Sequence, residues 1–190
     1  MKNQDLKKAL ILFVFLSSNI LISQTEKKEL FVKYTENEIN IDGILNEKDW
    51  DLAKGVNDFY EYRPNYNNNP KSPAIIKILN DDRFLYVGIK IKINNRDHKT
   101  GSLKRDFDAT VSDFIALVFD TFNDATNAFA IGSNHLAIQR DLLIFNGGSP
   151  QGRSYDMSWD IKWYSESKIY ENFYTTEWKI PLSSFRYSEG

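Results

Sequence analysis

The sequence predicts an all-β fold, an antiparallel two-sheet β-sandwich of the jelly-roll type. Short runs in which apolar and polar residues alternate recur along the chain, and clusters of turn-forming residues separate them. No segment shows a sustained helical period. The chain has no cysteine, so disulfides and thiolate chemistry are excluded, and burial of apolar side chains must stabilise the fold.

The first element is a predicted secretory signal peptide, residues 1–23. Three lysines precede an apolar run that continues to Ile22, and Ser23 is a small residue at the predicted cleavage point before Gln24. An uncleaved N-terminal anchor is the alternative. Cleavage leaves residues 24–190 as a single domain without a transmembrane helix, exported to the periplasm, the outer membrane or the cell exterior.

The charge of the exported domain argues against nucleic acid as a partner. The whole chain has a formal net charge of −2, and three lysines and one aspartate leave with the signal peptide, which makes the remainder −4. A mildly acidic domain lacks the basic surface that phosphate backbones require.

The segment INIDGILNEKDW, residues 39–50, predicts a strand, a turn and a short helix. The isoleucines alternate with polar residues, and Asp42-Gly43 is turn chemistry. Asn46 is placed to cap the helical turn that carries Trp50. We interpret Trp50 as a core anchor rather than a ligand contact, since a large aromatic side chain beside a capped turn is normally packing.

A β-hairpin is predicted next, because AIIKIL and FLYVGIKIKI are joined by turn residues 80–83. In the second strand one face is predicted to point into the core and the other outward. The core-facing residues are Leu85, Val87, Ile89, Ile91 and Ile93, and the outward-facing ones are Tyr86, Gly88, Lys90 and Lys92.

The remaining strands follow at short spacing. FIALVFD, residues 114–120, is apolar on both faces, which predicts a central strand. NAFAIGS, LAIQRDLLIF and WDIKWYS are further strands, and KIYENFYTTEWKIPL predicts two strands around Asn172 or one bent strand. The polar segment 63–73, which contains Tyr66, is predicted to be a long surface loop.

Signatures of catalysis are missing. His98 and His135 fit no metal-binding or triad spacing, and there is no nucleophile elbow. The chain is therefore predicted not to be an enzyme. Oxygen-rich loops beside strands can hold a structural Ca²⁺, and the alternative is turn-forming aspartates that bond their own backbone. The candidate calcium ligands are Asp106, Asp108, Asp113 and Asp120.

The order of several short motifs carries a family resemblance. These are Ile41-Asp42-Gly43 with Glu47 and Trp50, Asp81-Asp82 before Leu85-Tyr86-Val87, Arg105-Asp106, Asp113 seven residues before Asp120, Trp159-Asp160, and Glu177 with Ile180-Pro181. The chain resembles the family 9 carbohydrate-binding module, in the form found at the N-terminus of large exported envelope proteins of Gram-negative bacteria. The resemblance implies a β-sandwich, bound calcium and non-catalytic sugar binding linked to carbohydrate catabolism.

The sugar clamp of the family does not carry over to this chain. Sugar-binding members hold a sugar between two tryptophans; the first position is Thr110 here, and the second would lie past Gly190. Other aromatic side chains are the candidates for stacking on a sugar, although the two tryptophans among them can instead be core residues. The candidates are Tyr155, Trp159, Trp163 and Tyr66.

The resemblance leads to two alternative functions and to an expectation about completeness. One alternative is an N-terminal interaction or assembly module of a truncated outer-membrane-associated protein that binds no sugar. The other is a haem-binding relative ligated by Met157 with a histidine or lysine.

The sandwich is expected to lack its C-terminal strand or strands, with a downstream region as partner. Any glycoside hydrolase activity would belong to that region. Alternatively, a strand around residues 31–34 closes the sheet.

Overall fold

The described chain forms two β-sheets that enclose one main hydrophobic core, which confirms the predicted all-β sandwich. The computed structural model describes residues 29–93, 99–148 and 154–187. The predicted signal peptide, its cleavage site and His98 lie outside these ranges. No helix within the ranges is long and apolar enough to cross a bilayer.

The first sheet has five strands. In spatial order they are β1 (Lys33–Tyr34), β2 (Ala74–Asn80), β3 (Phe84–Lys92), β9 (Phe173–Pro181) and β8 (Tyr164–Ile169). β1 runs parallel to β2, and the other pairs are antiparallel. The predicted β2–β3 hairpin is confirmed. Two separate strands, β8 and β9, flank Asn172, as one of the two alternatives predicted. β1 falls within the 31–34 stretch, and the expected absence of a C-terminal strand stays a prediction.

The second sheet has four antiparallel strands. In spatial order they are β4 (Phe114–Phe119), β5 (Ala128–Asn134), β6 (Gln139–Ile144) and β7 (Tyr155–Asp156). The prediction that β4 is central is wrong, because β4 forms an edge of this sheet. The predicted strand WDIKWYS is also wrong in its first part, since residues 157–163 are irregular and only its end belongs to β8.

Helical structure in the described chain is short. Helix α1 spans Lys48–Leu52, and 3-10 turns occupy Asn146–Gly148 and Leu182–Ser184. Glu47, rather than the predicted Asn46, is the N-cap residue, and its side chain makes no cap hydrogen bond. Its carboxylate instead accepts the N–H of Asn40 at 3.2 Å. The strand predicted at residues 39–41 is wrong, because this segment is irregular and pairs with no strand of the described chain.

The main core lies between the sheets and contains the predicted inward face of β3. Val87 and Ile89 are fully buried, as are Ile131 on β5 and Trp178 and Ile180 on β9. Lys90 and Lys92 are exposed on the opposite face, as the alternation predicted.

A second cluster covers the outer face of the five-stranded sheet. Trp50 from α1 packs there with Ile39, Leu79 and Tyr86, which confirms Trp50 as a core anchor. Gly88 leaves room for the indole, because a Cβ at residue 88 would lie 2.9 Å from Cζ3 of Trp50. The opening segment therefore covers the outer face of this sheet, whereas the outer face of the four-stranded sheet carries an open trough.

Candidate functional site

The outer face of the four-stranded sheet carries a trough of about 520 Å³. The strands alternate their side chains, so every second residue of β4, β5 and β6 points outward onto this face. The floor consists of Ala116, Ala130, Gly132, Leu142 and Ile144, and the walls consist of Phe114, Tyr155, Met157, Arg140 and Ala109.

Small residues keep the middle of the trough floor free of large side chains. Ala116 lies opposite Gly132 on the neighbouring strand, and Gly132 lies opposite Arg140. A Cβ at residue 132 would approach Cβ of Ala116 to 2.9 Å, so a larger residue would both clash and fill the floor. The glycine therefore keeps open the space that a ligand would occupy.

Two aromatic rings stand at opposite edges of the sheet. Tyr155 on β7 is 49% exposed, and its hydroxyl donates to the carbonyl of Gly148 at 3.4 Å. Phe114 on β4 is 38% exposed, and its ring meets that of Phe107 edge-on at 5.7 Å. Both rings remain partly open to solvent, which suits them for stacking on a ligand.

Arg140 is the cation of the trough, and its guanidinium is fixed against the wall. Nη1 donates to the carbonyl of Phe107, and Nη2 donates to Sδ of Met157 at 3.4 Å. The guanidinium also lies 5.9 Å from the centre of the Phe107 ring. These contacts engage two of the five N–H groups that a guanidinium carries, so Arg140 can still donate to a ligand oxygen.

A second cleft, of about 710 Å³, adjoins the trough at Phe114, which lines both. Its lining is more polar than that of the trough. The polar residues are Lys71, Ser72, Ser112, Asp113 and His135, and the aromatic ones besides Phe114 are Phe59 and Tyr174.

Two polar side chains of the cleft, His135 and Asp113, contact the loop that contains residues 99 and 100. Nε2 of His135 lies 3.3 Å from the hydroxyl of Thr100, and the carboxylate of Asp113 accepts the N–H of Lys99 at 2.9 Å. Burial, together with the negative charge of Asp113, raises the pKa of Tyr174, so this phenol is neutral at physiological pH. The cleft thus presents hydroxyl, amine and carboxylate groups.

The structure separates the four aromatic candidates. Tyr155 lines the trough, whereas Trp163 is 4% exposed and packs edge-on against Trp178 at 5.5 Å in the core. Trp159 packs against the core through Phe129, with ring centres 5.0 Å apart. Their rings therefore serve packing, which was the alternative interpretation for both tryptophans.

Tyr66 lies in the exposed loop, away from the trough lining. Its ring contacts those of Tyr60 at 5.5 Å and Tyr62 at 6.0 Å, and all three side chains are exposed. Tyr66 is absent from the residues that line the trough and from those that line the cleft. The structure does not bring it together with Tyr155.

The four predicted calcium ligands make hydrogen bonds within their own surroundings. Asp106 accepts from the N–H of Asp141 at 3.2 Å, Asp108 from that of Thr110 at 2.8 Å, Asp113 from that of Lys99 at 2.9 Å, and Asp120 from that of Ala125 at 2.9 Å. Across residues 29–93, 99–148 and 154–187, no three His, Asp or Glu side chains form a group that could hold an ion. Calcium binding by the four aspartates stays a prediction.

Sequence reasoning missed Phe114 and Arg140 as candidate site residues. The sequence carries a signal for Phe114, because β4 is apolar on the face that is open in the structure, but the same pattern predicts a central strand. Met157, considered above as a haem ligand, is 37% exposed on the trough wall and its sulfur accepts the hydrogen bond from Arg140.

Comparison with known proteins identifies the fold. No protein-family model matches the chain, and no curated protein does. A family 9 carbohydrate-binding module from Caldicellulosiruptor kristjanssonii, solved in complex with cellotriose, matches with a TM-score of 0.57 and 17% identity over 82% of this chain and 68% of that chain. A family 9 module from the same organism in complex with glucose matches with a TM-score of 0.54 and 17% identity, over 82% of this chain and 70% of that chain.

A third solved structure agrees with these two. It is a proposed carbohydrate-binding protein from Bacteroides uniformis, with a TM-score of 0.55 and 13% identity over 84% of this chain and 75% of that chain. At these identities the likeness concerns the fold. The chain has the fold of a family 9 carbohydrate-binding module, as the resemblance implied.

Proposed function

We propose that this protein is a non-catalytic carbohydrate-binding module and that the trough on the four-stranded sheet holds the sugar. The observation that carries the proposal is the pair of partly exposed rings, Tyr155 and Phe114, at the two edges of a trough whose floor is made of small residues. The shared fold supports it, because two of the similar modules were solved with glucose and with cellotriose bound.

The chemistry of the trough suits a sugar ring. A pyranose presents an apolar C–H face together with a rim of hydroxyl groups. The ring of Tyr155 offers an apolar face for stacking, and the low floor at Ala116 and Gly132 leaves room farther along the trough. Arg140 is held in place and donates to hydroxyl oxygens, which adds orientation to the apolar contact.

Polysaccharide retardation in native affinity gels tests the proposal. Gels containing xylan, mannan, β-glucan or pectin are run with the wild type, Tyr155→Ala and Tyr164→Ala. Tyr164 is a matched control, since it is 48% exposed, against 49% for Tyr155, but lies on β8 of the other sheet. Loss of one stacking contact is expected to weaken binding about tenfold, which corresponds to about 1.4 kcal/mol.

Retardation of the wild type and of Tyr164→Ala, with loss of retardation for Tyr155→Ala, supports the proposal. A wild-type chain that none of these polysaccharides retards contradicts a carbohydrate-binding role. Equal retardation of all three proteins instead removes the trough as the site.

We further propose that the protein is exported and that its binding serves carbohydrate catabolism. The charged start, the apolar run and Ser23 before Gln24 support export. Mass spectrometry of the protein recovered from the cell envelope or the medium is expected to show Gln24 as the first residue. An exported protein that begins at Met1 would contradict cleavage.

A further inference from the structure

Phe114 lies on the edge strand β4 and lines both recesses: the trough on the outer face of the sheet, and the cleft, which Ile115 and Tyr174 also line, at the opening between the two sheets. We propose that together they form one groove that binds an extended glycan chain of several sugar units rather than a single sugar. This inference rests on the proposed function of the trough. It adds the cleft as a second, independent stretch of the binding site and defines the ligand class as an oligosaccharide chain.

The strand register indicates how long the trough is. Tyr155 lies opposite Ile144, which lies opposite Ala128 at one end of β5, whereas Phe114 lies opposite Asn134 at its other end. The two ends of β5 are therefore separated by about 20 Å, and β4 and β7 by about 14 Å across the sheet. The two aromatic residues occupy opposite corners of this face, and one sugar ring cannot span the distance between them.

The chemistry changes along the groove. The trough offers apolar surface and one cation, whereas beyond Phe114 the cleft offers the amine of Lys71 and the hydroxyl of Ser72 together with the carboxylate of Asp113. The side chain of Lys71 is 81% exposed, with Nζ 4.0 Å from a carboxylate oxygen of Glu61, so it is free to turn toward a ligand hydroxyl. Sugars bound by stacking in the trough would thus be followed by sugars bound through hydrogen bonds in the cleft.

Titration calorimetry with oligosaccharides of defined length tests the inference. The probes are the mono-, tri- and hexasaccharides of the β-1,4-glucan, β-1,4-xylan and β-1,4-mannan series. In the series that binds, we expect the hexasaccharide to bind at least tenfold more tightly than the trisaccharide. Tyr155→Ala is expected to weaken the binding of both lengths.

Cleft variants separate the two stretches of the groove. Lys71→Ala and Phe59→Ala are expected to weaken hexasaccharide binding several-fold and to leave trisaccharide binding unchanged. Both side chains are exposed, so neither change should unfold the protein. Lys168→Ala, an exposed lysine on β8 of the other sheet, is the control and is expected to bind all lengths as the wild type does.

The outcomes distinguish this inference from the function on which it rests. Equal affinity for the trisaccharide and hexasaccharide, with Tyr155→Ala still weakening both, overturns the extended groove and leaves the trough as a sugar site. A chain-length gain that survives both cleft substitutions also overturns the role of the cleft. Failure of the wild type to bind any of the three series overturns the groove together with the proposed function for these glycans.

Discussion

The carboxylate of Glu177 accepts a hydrogen bond from the indole N–H of Trp50 at 3.0 Å, although 127 residues separate them. Its other oxygen accepts the backbone N–H groups of Asp42 at 3.1 Å and Gly43 at 2.9 Å. Glu177 is fully buried on β9, so it fastens the opening turn and helix onto the five-stranded sheet. A single buried carboxylate thus binds both the Asp-Gly turn and the tryptophan of the opening segment.

Glu177 should make stability depend on pH. Burial raises the pKa of Glu177 to about 7. The negative charge of Glu47 adds to this rise, whereas the hydrogen bonds from the N–H groups of Asp42 and Gly43 oppose it. The folded state therefore holds this proton more tightly than the unfolded chain, whose glutamates titrate near 4.3. The contribution of Glu177 to stability is complete below the unfolded pKa and is lost as the pH rises through 7, by on the order of 3 kcal/mol.

Urea unfolding of the wild type and Glu177→Gln at a series of pH values between about 4 and 8 measures this effect. The free energy of unfolding of the wild type, relative to that of the variant, is expected to fall as the pH rises. Glu47→Gln removes the neighbouring charge and should reduce the fall. Curves for the wild type and Glu177→Gln that stay parallel over this range would show that Glu177 does not titrate there.

Local patterns predicted the β2–β3 hairpin and the inward face of β3, because adjacent residues and a short turn determine both. The position of β4 could not be predicted in the same way. An apolar outer face has the same sequence pattern whether another layer of protein covers it or it lines an open trough. The roles of Trp159 and Trp163 depend on the irregular path between β7 and β8. The partner of Glu177 lies at the other end of the chain, so no local pattern shows it.

Core and outer positions on the four-stranded sheet should respond differently to truncation. Ile131 on β5 is fully buried in the core, whereas Val118 on β4 is 60% exposed on the outer face. Ile131→Ala is expected to lower the free energy of unfolding by about 3 kcal/mol, and Val118→Ala by less than about 1 kcal/mol. Denaturant unfolding of the two variants checks this. Equal losses would mean that the outer face, and with it the trough, is assigned to the wrong side of the sheet.

Calcium binding can be tested by thermal unfolding. If Asp106, Asp108, Asp113 or Asp120 ligates an ion in solution, a chelator should lower the melting temperature and added Ca²⁺ should restore it, because the ion binds the folded state alone. Asp120→Asn would then weaken the response to Ca²⁺. A melting temperature that neither chelator nor Ca²⁺ changes would show that calcium does not stabilise this domain.

Arg105 connects three parts of the domain, and its removal should be costly. Nη2 lies 2.7 Å from Oδ1 of Asp141 and 2.5 Å from Oδ1 of Asp160, and it donates to the carbonyl of Ile161 at 2.8 Å. Asp141 is fully buried, and burial raises its pKa. Asp160, by contrast, lies mostly in solvent, so the buried partner is the one that depends on the guanidinium.

Arg105→Ala leaves the carboxylate of Asp141 buried without its cation. We expect this to lower the free energy of unfolding at neutral pH by on the order of 3 to 5 kcal/mol, whereas Asp160→Ala should cost less than about 1 kcal/mol because that pair is solvated. Urea unfolding of the two single variants and of the double variant Arg105→Ala/Asp141→Asn measures these losses in the free energy of unfolding. The double variant should be more stable than Arg105→Ala, since the asparagine carries no charge and still accepts the N–H of Ile161, which lies 2.8 Å from Oδ2 of Asp141. A double variant no more stable than Arg105→Ala would mean that Arg105 acts through its other contacts and not by neutralising Asp141.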